Sequence, residues 1–210
     1  MLELISYQKS YPGGKSILKI DSLTIPEGLH WIQGKNGSGK STFFRSIAGL
    51  TPFDGKIRLF QTDLKQEPVK YRLQVNYSEA EPLFPGFLSG KEMLEFVAEA
   101  KKSEKHQIEE LIDAFQLPMF FENPASTYSS GMAKKISLVM AFLGNPKLIL
   151  LDEPFITIDR ESVAVLSRLI LDARLKGISF LVSSHPDFQN TGFSADQCWL
   201  LENGQLNSVS

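Results

Sequence analysis

The sequence has little of what staples or ligates: one cysteine, Cys198, and three histidines in 210 residues. A single thiol excludes an internal disulfide and a cysteine metal cage. An excess of one charge is missing too, with 22 Lys+Arg against 24 Asp+Glu and a formal net charge of -2. Phosphate contacts along a nucleic acid need clustered Lys and Arg, so no direct nucleic-acid partner is expected. No run approaches the ~18–20 apolar residues that cross a bilayer. The longest candidate, Ile136 to Gly144, stops at Asn145-Pro146-Lys147. Residues 1–9 lack the basic head and apolar core of a signal peptide. The expectation is a cytosolic chain that reaches any membrane through a partner.

What is present is ordinary globular material, 42% hydrophobic and 22% charged, enough to bury a core. No repeat, low-complexity tract or long linker divides it. Up to Ile32 the pattern is short and β-like, broken by Gly13-Gly14 and by Pro26-Glu27-Gly28. A strand over 30–33 runs into a glycine-rich stretch. A helix over 41–50 follows, with Phe43, Phe44, Ile47 and Leu50 on one face. Strands are expected at 56–60 and 73–77, then helices at 90–101, 104–115 and 131–144. The α/β pattern resumes with a strand at 148–151, a helix at 162–176 and a strand at 179–183. Asn203-Gly204 turns a final hairpin of 197–201 and 205–209. The expected fold is an α/β core over 1–78 and 146–210, interrupted by an all-helical insertion over 79–145.

Gly34-Lys-Asn-Gly-Ser-Gly39-Lys40-Ser41 fills every fixed position of the phosphate loop G-x-x-x-x-G-K-[ST]. Backbone N–H groups wrap a polyphosphate only where side chains vanish, hence Gly34, Gly37 and Gly39. The following helix aims its positive end at the phosphates. Lys40 supplies a point charge for the β- and γ-phosphates, and the Ser41 hydroxyl is placed to ligate Mg2+. A flexible Gly/Ser turn is the plain alternative, and chance matches at four constrained positions arise in roughly one chain in a hundred. The second motif, Leu148-Ile-Leu-Leu-Asp152-Glu153-Pro154, is an apolar strand ending in two carboxylates. Four large apolar residues in a row suit a parallel strand buried on both faces, and ligands bind at the carboxyl ends of such strands. Asp152 would hold Mg2+ directly or through water, and Glu153 would polarise the attacking water. Alone, the run also reads as a strand entering an acidic turn.

In this order the motifs resemble the nucleotide-binding domain of an ATP-binding cassette (ABC) transporter, over essentially the whole chain. The resemblance implies a P-loop NTPase (RecA-like) core with an N-terminal antiparallel β region and an inserted all-helical subdomain. It implies ATP and Mg2+ as ligands, with nucleotide contacts along Gly34, Asn36, Gly37, Ser38, Gly39, Lys40, Ser41 and Thr42, and Tyr11 stacking on adenine. Tyr128-Ser129-Ser130-Gly131-Met132 matches the family's signature, which opens a helix onto the γ-phosphate held by the opposite protomer. Ser129 and Gly131 are kept, while Ser130 replaces a glycine and Met132 a glutamine. Asp159 matches the D-loop, and His185, after Ser183-Ser184, matches the switch histidine. The Q-loop glutamine is missing from Val75-Asn-Tyr-Ser-Glu79-Ala80-Glu81-Pro82, and the register leaves Glu79, Ala80 or Glu81 in its slot.

These features imply the ATP-hydrolysing subunit of a transporter. Two ATPase chains, identical or different, would pack head to tail on the cytoplasmic face of the membrane and drive a separate integral permease. A soluble ABC ATPase without a permease, or a catalytically weak regulatory cassette, are the competing readings. Pro82-Leu83-Phe84-Pro85-Gly86-Phe87-Leu88 is too apolar for a loop that only meets water. Phe84 and Phe87 either pack inward or line a groove for a helix of the permease.

Overall fold

The computed structural model describes residues 1–10, 16–184 and 194–209. Two sheets carry the fold. The first is antiparallel, in the order β2 (Ser16–Ile25), β1 (Leu2–Ser10), β4 (Asp54–Leu59), β5 (Thr62–Asp63). The second runs β10 (Gln205–Val209), β9 (Gln197–Glu202), β3 (Leu29–Gln33), β8 (Ser179–Ser183), β7 (Leu148–Asp152), β6 (Val75–Ser78). Its strands are parallel except for the β9–β10 hairpin. The helices are α1 (Lys40–Ile47), α2 (Pro68–Gln74), α3 (Gly90–Lys101), α4 (Lys105–Ala114), α5 (Ser130–Phe142) and α6 (Arg160–Leu175). Short 3-10 turns at Leu117–Met119 and Ala125–Thr127 lie between α4 and α5.

Every residue of β7 and β8 is buried, as expected of central parallel strands covered on both faces. Their side chains alternate between two apolar clusters. Leu148, Leu150 and Leu181 join Leu2, Tyr7, Leu18, Phe43, Phe44 and Ile47 between the sheets around α1. Ile149, Leu151, Phe180 and Val182 face Leu166 and Ile170 of α6 and Leu94, Phe115, Ile136 and Phe142 of the helices that follow β6. Those helices therefore share a core with one face of the large sheet.

Two local readings are corrected. The strand expected at 73–77 begins only at Val75, because Pro68 starts a helix that runs to Gln74 and buries Tyr71. Proline at the first helical position is already set to the helical φ and has no N–H to lose. The helix expected to reach Leu50 stops at Ile47, where Gly49 turns with φ +72°. Leu50 is consequently 61% exposed rather than part of the core face.

The register gathers chemistry at one edge. Ile32 pairs with Ser183, and Asp152 pairs with Ser183, so the carboxyl ends of β3, β7 and β8 lie side by side.

Candidate functional site

The loop after β3 folds as its glycines require. A Cβ on Gly34 would lie 2.5 Å from Ser38 Oγ and 2.7 Å from the Leu201 main-chain oxygen. Gly39, with φ +105°, is the N-cap of α1 and offers no side-chain cap. Ser38 N–H donates to Lys35 O at 3.1 Å, closing the loop on itself. Lys40 is buried, and its ammonium donates to Gly34 O at 2.7 Å and Lys35 O at 3.4 Å. The same nitrogen lies 3.9 Å from Glu153 Oε1. A cavity of 510 Å³ opens here, lined among others by Asn36, Lys40, Ser41, Thr42, Glu81 and Glu153. That volume is in the range of small-ligand sites.

Asp152 and Glu153 end β7 in different surroundings. Asp152 is 1% exposed. Its Oδ1 accepts from Ser183 Oγ at 2.5 Å and its Oδ2 from the Tyr77 hydroxyl at 3.3 Å. Burial, with the Asp152 charge beside it, pushes the Tyr77 phenol well above its ordinary range, so it stays a donor. Glu153 has φ +46°, a left-handed backbone that turns its side chain off the strand and toward Lys40. Its N–H donates to both Ser183 O and Ser183 Oγ, each at 3.1 Å.

Helix α5 begins on the signature. Ser129 Oγ accepts from Met132 N–H at 3.2 Å, while the Ser129 N–H points to Met132 Sδ at 3.5 Å. Ser129 and Ser130 are exposed, and Ser129, Ser130 and Gly131 do not line the phosphate-loop cavity. A Cβ on Gly131 would sit 2.6 Å from the Thr157 main-chain oxygen, so glycine lets α5 close on the loop after Glu153. Thr157 itself holds φ +71°, an outlier for a β-branched residue. Asp159 caps α6 through Ser162 N–H at 2.8 Å and pairs with Lys135 Nζ at 2.7 Å. The Lys135 bond, then that from Ser162, holds its carboxyl well below the usual range.

The two Q-loop glutamates separate. Glu79 accepts from Arg45 at 3.3 Å and lines a different cleft, whereas Glu81 is exposed and borders the phosphate-loop cavity together with Ala80. Tyr11 and His185 lie outside the described residues. Four residues that no motif singles out complete the site: Tyr77, Ser183, Lys134 and Lys135. Ser183 had a signal, standing two residues before the switch histidine, and a lysine pair in an otherwise apolar helix was a faint one.

The donors fit Mg2+ chemically. Ser41 and Asp152 offer hard oxygens only, and among the described residues no group of three or more His, Cys, Asp or Glu forms a metal cage. Such a sparse set suits an ion that shares its coordination with phosphates and water.

A sequence profile of the ABC transporter family matches residues 18–156. The lipopolysaccharide export system ATP-binding protein LptB of Haemophilus influenzae is 30% identical over 185 residues, 84% of this chain and 77% of LptB. The ABC-type transporter ATP-binding protein EcsA of Bacillus subtilis is 32% identical over 175 residues, 80% of this chain and 71% of EcsA. Among solved structures, an ATP-binding subunit of an ABC transporter superposes with a TM-score of 0.86 at 26% identity, covering 99% of this chain and 90% of the other. A dimeric bacterial ABC transporter cassette shares the fold with a TM-score of 0.85 at 21% identity, covering 100% and 99%. A profile match over most of the sequence, with relatives this similar along most of their own length, leaves no room for an unrelated glycine loop, and the chain belongs to the ABC transporter family.

Proposed function

We propose that this chain is the subunit that binds and hydrolyses ATP for an ABC transporter, with motion supplied to a separate membrane permease. The observation that carries the reading is the convergence of Lys40 and Glu153, 3.9 Å apart, at the mouth of the glycine loop. Lys40 and the first turn of α1 hold the phosphates. Ser41 and Asp152 hold Mg2+, which supplies charge neutralisation at the phosphate oxygens. Glu153 takes a proton from water as the water oxygen bonds to the γ-phosphorus and the bond to the β–γ bridging oxygen breaks. His185 assists there and Tyr11 stacks on adenine. The Q-loop slot falls to Ala80 or Glu81, which both border the phosphate-loop cavity, while Glu79 is engaged by Arg45.

A second copy or a related chain completes each site by presenting Ser129, Ser130 and Gly131, with Asp159 at the contact between the two. The permease docks in a cleft of 340 Å³ lined by Leu50, Glu79, Leu83, Phe84, Val97 and Met140. Leu83 in that lining is 92% exposed, and Phe87, four residues further on, is 81% exposed, apolar surface suited to a partner helix. No described helix is long and apolar enough to cross a membrane. The working position is peripheral, on the cytoplasmic face.

The test is Glu153→Gln. Turnover should fall by about 10²–10⁴-fold while MgATP still binds, and an ATP-dependent dimer should accumulate in size-exclusion chromatography. A variant that hydrolyses ATP like the wild type removes Glu153 from its role.

A further inference from the structure

Three lysines are buried among the described residues. Lys40 belongs to the phosphate loop, and Lys9 donates to Thr51 Oγ1 and Pro52 O. The third, Lys134, is 0% exposed and lies five residues after the Ser129 cap of α5. Its ammonium donates to Glu79 O at 2.5 Å, Asp152 O at 2.8 Å and Ala80 O at 3.4 Å. An ammonium has three protons to give, and three carbonyls meet it. Burial lowers its pKa to about 8, while Asp152, Glu153 and Glu79 draw it back up.

The Asp152 carbonyl and the Glu153 N–H are the two ends of one planar peptide unit. The carbonyl end is held by Lys134, and the N–H end by Ser183 from the neighbouring strand. Glu153 leaves this unit at φ +46°, a conformation that non-glycine residues keep only where the surroundings impose it. Without the ammonium, the carbonyl end loses its buried donor while Ser183 still holds the N–H end, and the constraint that keeps Glu153 at positive φ, with its carboxylate near Lys40, is weakened.

We propose that Lys134 is a positioning residue for ATP hydrolysis: by clamping the Asp152–Glu153 peptide and the 79–80 segment together, it keeps Glu153 aimed at the phosphate-loop cavity. The proposal rests on the ATPase reading and deepens it. It also makes α5 a mechanical link, since the helix that opens with the signature anchors the general base one turn later.

Lys134→Met removes the donors at nearly constant volume. The wild type sets the baseline, and a wild type without turnover would remove the ATPase reading and this proposal with it. Given a hydrolysing wild type, the variant should keep KM for MgATP within about twofold and lose kcat by about tenfold or more, because the base, not the nucleotide, is displaced. Combined with Glu153→Gln, it should add no further loss, since both act through one group. Lys134→Gln, a shorter neutral donor, takes its place should the methionine variant lose its melting transition, with the same expected result. Wild-type kcat, a loss of kcat matched by a rise in KM, or additivity with Glu153→Gln overturns the proposal. So does loss of folding in both variants, which would make Lys134 a purely structural residue.

Discussion

Helices α1 and α5 both open on a serine- and glycine-rich turn, and they begin in opposite ways. At α1 the N-cap is Gly39, left-handed at φ +105°, and no side chain caps the helix. At α5 the N-cap is Ser129, in extended backbone, and its hydroxyl accepts from Met132 N–H. The first turn of any helix carries N–H groups without intrahelical partners. In α1 no side chain caps them, and the Lys40 charge stands beside them. In α5 one is already satisfied by the chain itself, and Gly131 brings the helix end against Thr157. The difference separates a helix end that no side chain closes from one that is closed by an internal bond.

The largest expected effect lies at α1. Lys40→Ala removes the buried cation of the phosphate-loop cavity, so MgATP affinity should fall by about 100-fold or more in calorimetry, while the variant still unfolds in one cooperative transition. Equal affinity in variant and wild type breaks the comparison at its stronger end. Gly131→Ala comes next and acts on structure. Its Cβ meets a main-chain oxygen at 2.6 Å, so α5 must shift from the Thr157 loop. Denaturant unfolding should show a loss of about 1–3 kcal/mol, while nucleotide affinity of the single chain stays the same. Smallest is Ser129→Ala, which deletes the cap for about 1 kcal/mol. A fall in melting temperature of about 2–4 °C is expected, again without change in nucleotide affinity. Should Ser129→Ala weaken MgATP binding to the single chain, the contrast between the two helix ends would be lost.

Legibility followed range along the chain. Gly37 and Gly39 turn with φ +76° and +105° within one short loop, so their identities already constrain its shape. The apolar run of β7 announced a central strand, and β7 is buried throughout. Lys134 stayed hidden because a lysine in a helix is normally solvated, and only the packing of α5 on β6 and β7 explains its burial. Tyr77 reads as a strand aromatic until Asp152 is found beside its hydroxyl, 75 residues further on. No helix is expected at Pro68–Gln74 because Val69, Tyr71 and Leu73 alternate with Lys70, Arg72 and Gln74 at the strand period of two, whereas proline at the first position favours the helix.

Local chemistry, then, was written into the order of residues: a glycine loop shaped to wrap phosphate, a strand long enough in apolar residues to be central, a serine able to cap a helix. Backbone sterics and hydrogen bonds within a few residues act the same way wherever the segment lies. Which groups surround the two carboxylates was settled only by folding. Asp152 received Tyr77, Ser183 and Lys134 because β6, β7 and β8 are neighbours in parallel register and α5 packs on β6 and β7. That neighbourhood follows from burying both faces of the sheet at once, a requirement summed over residues far apart in the chain, and no single motif carries it.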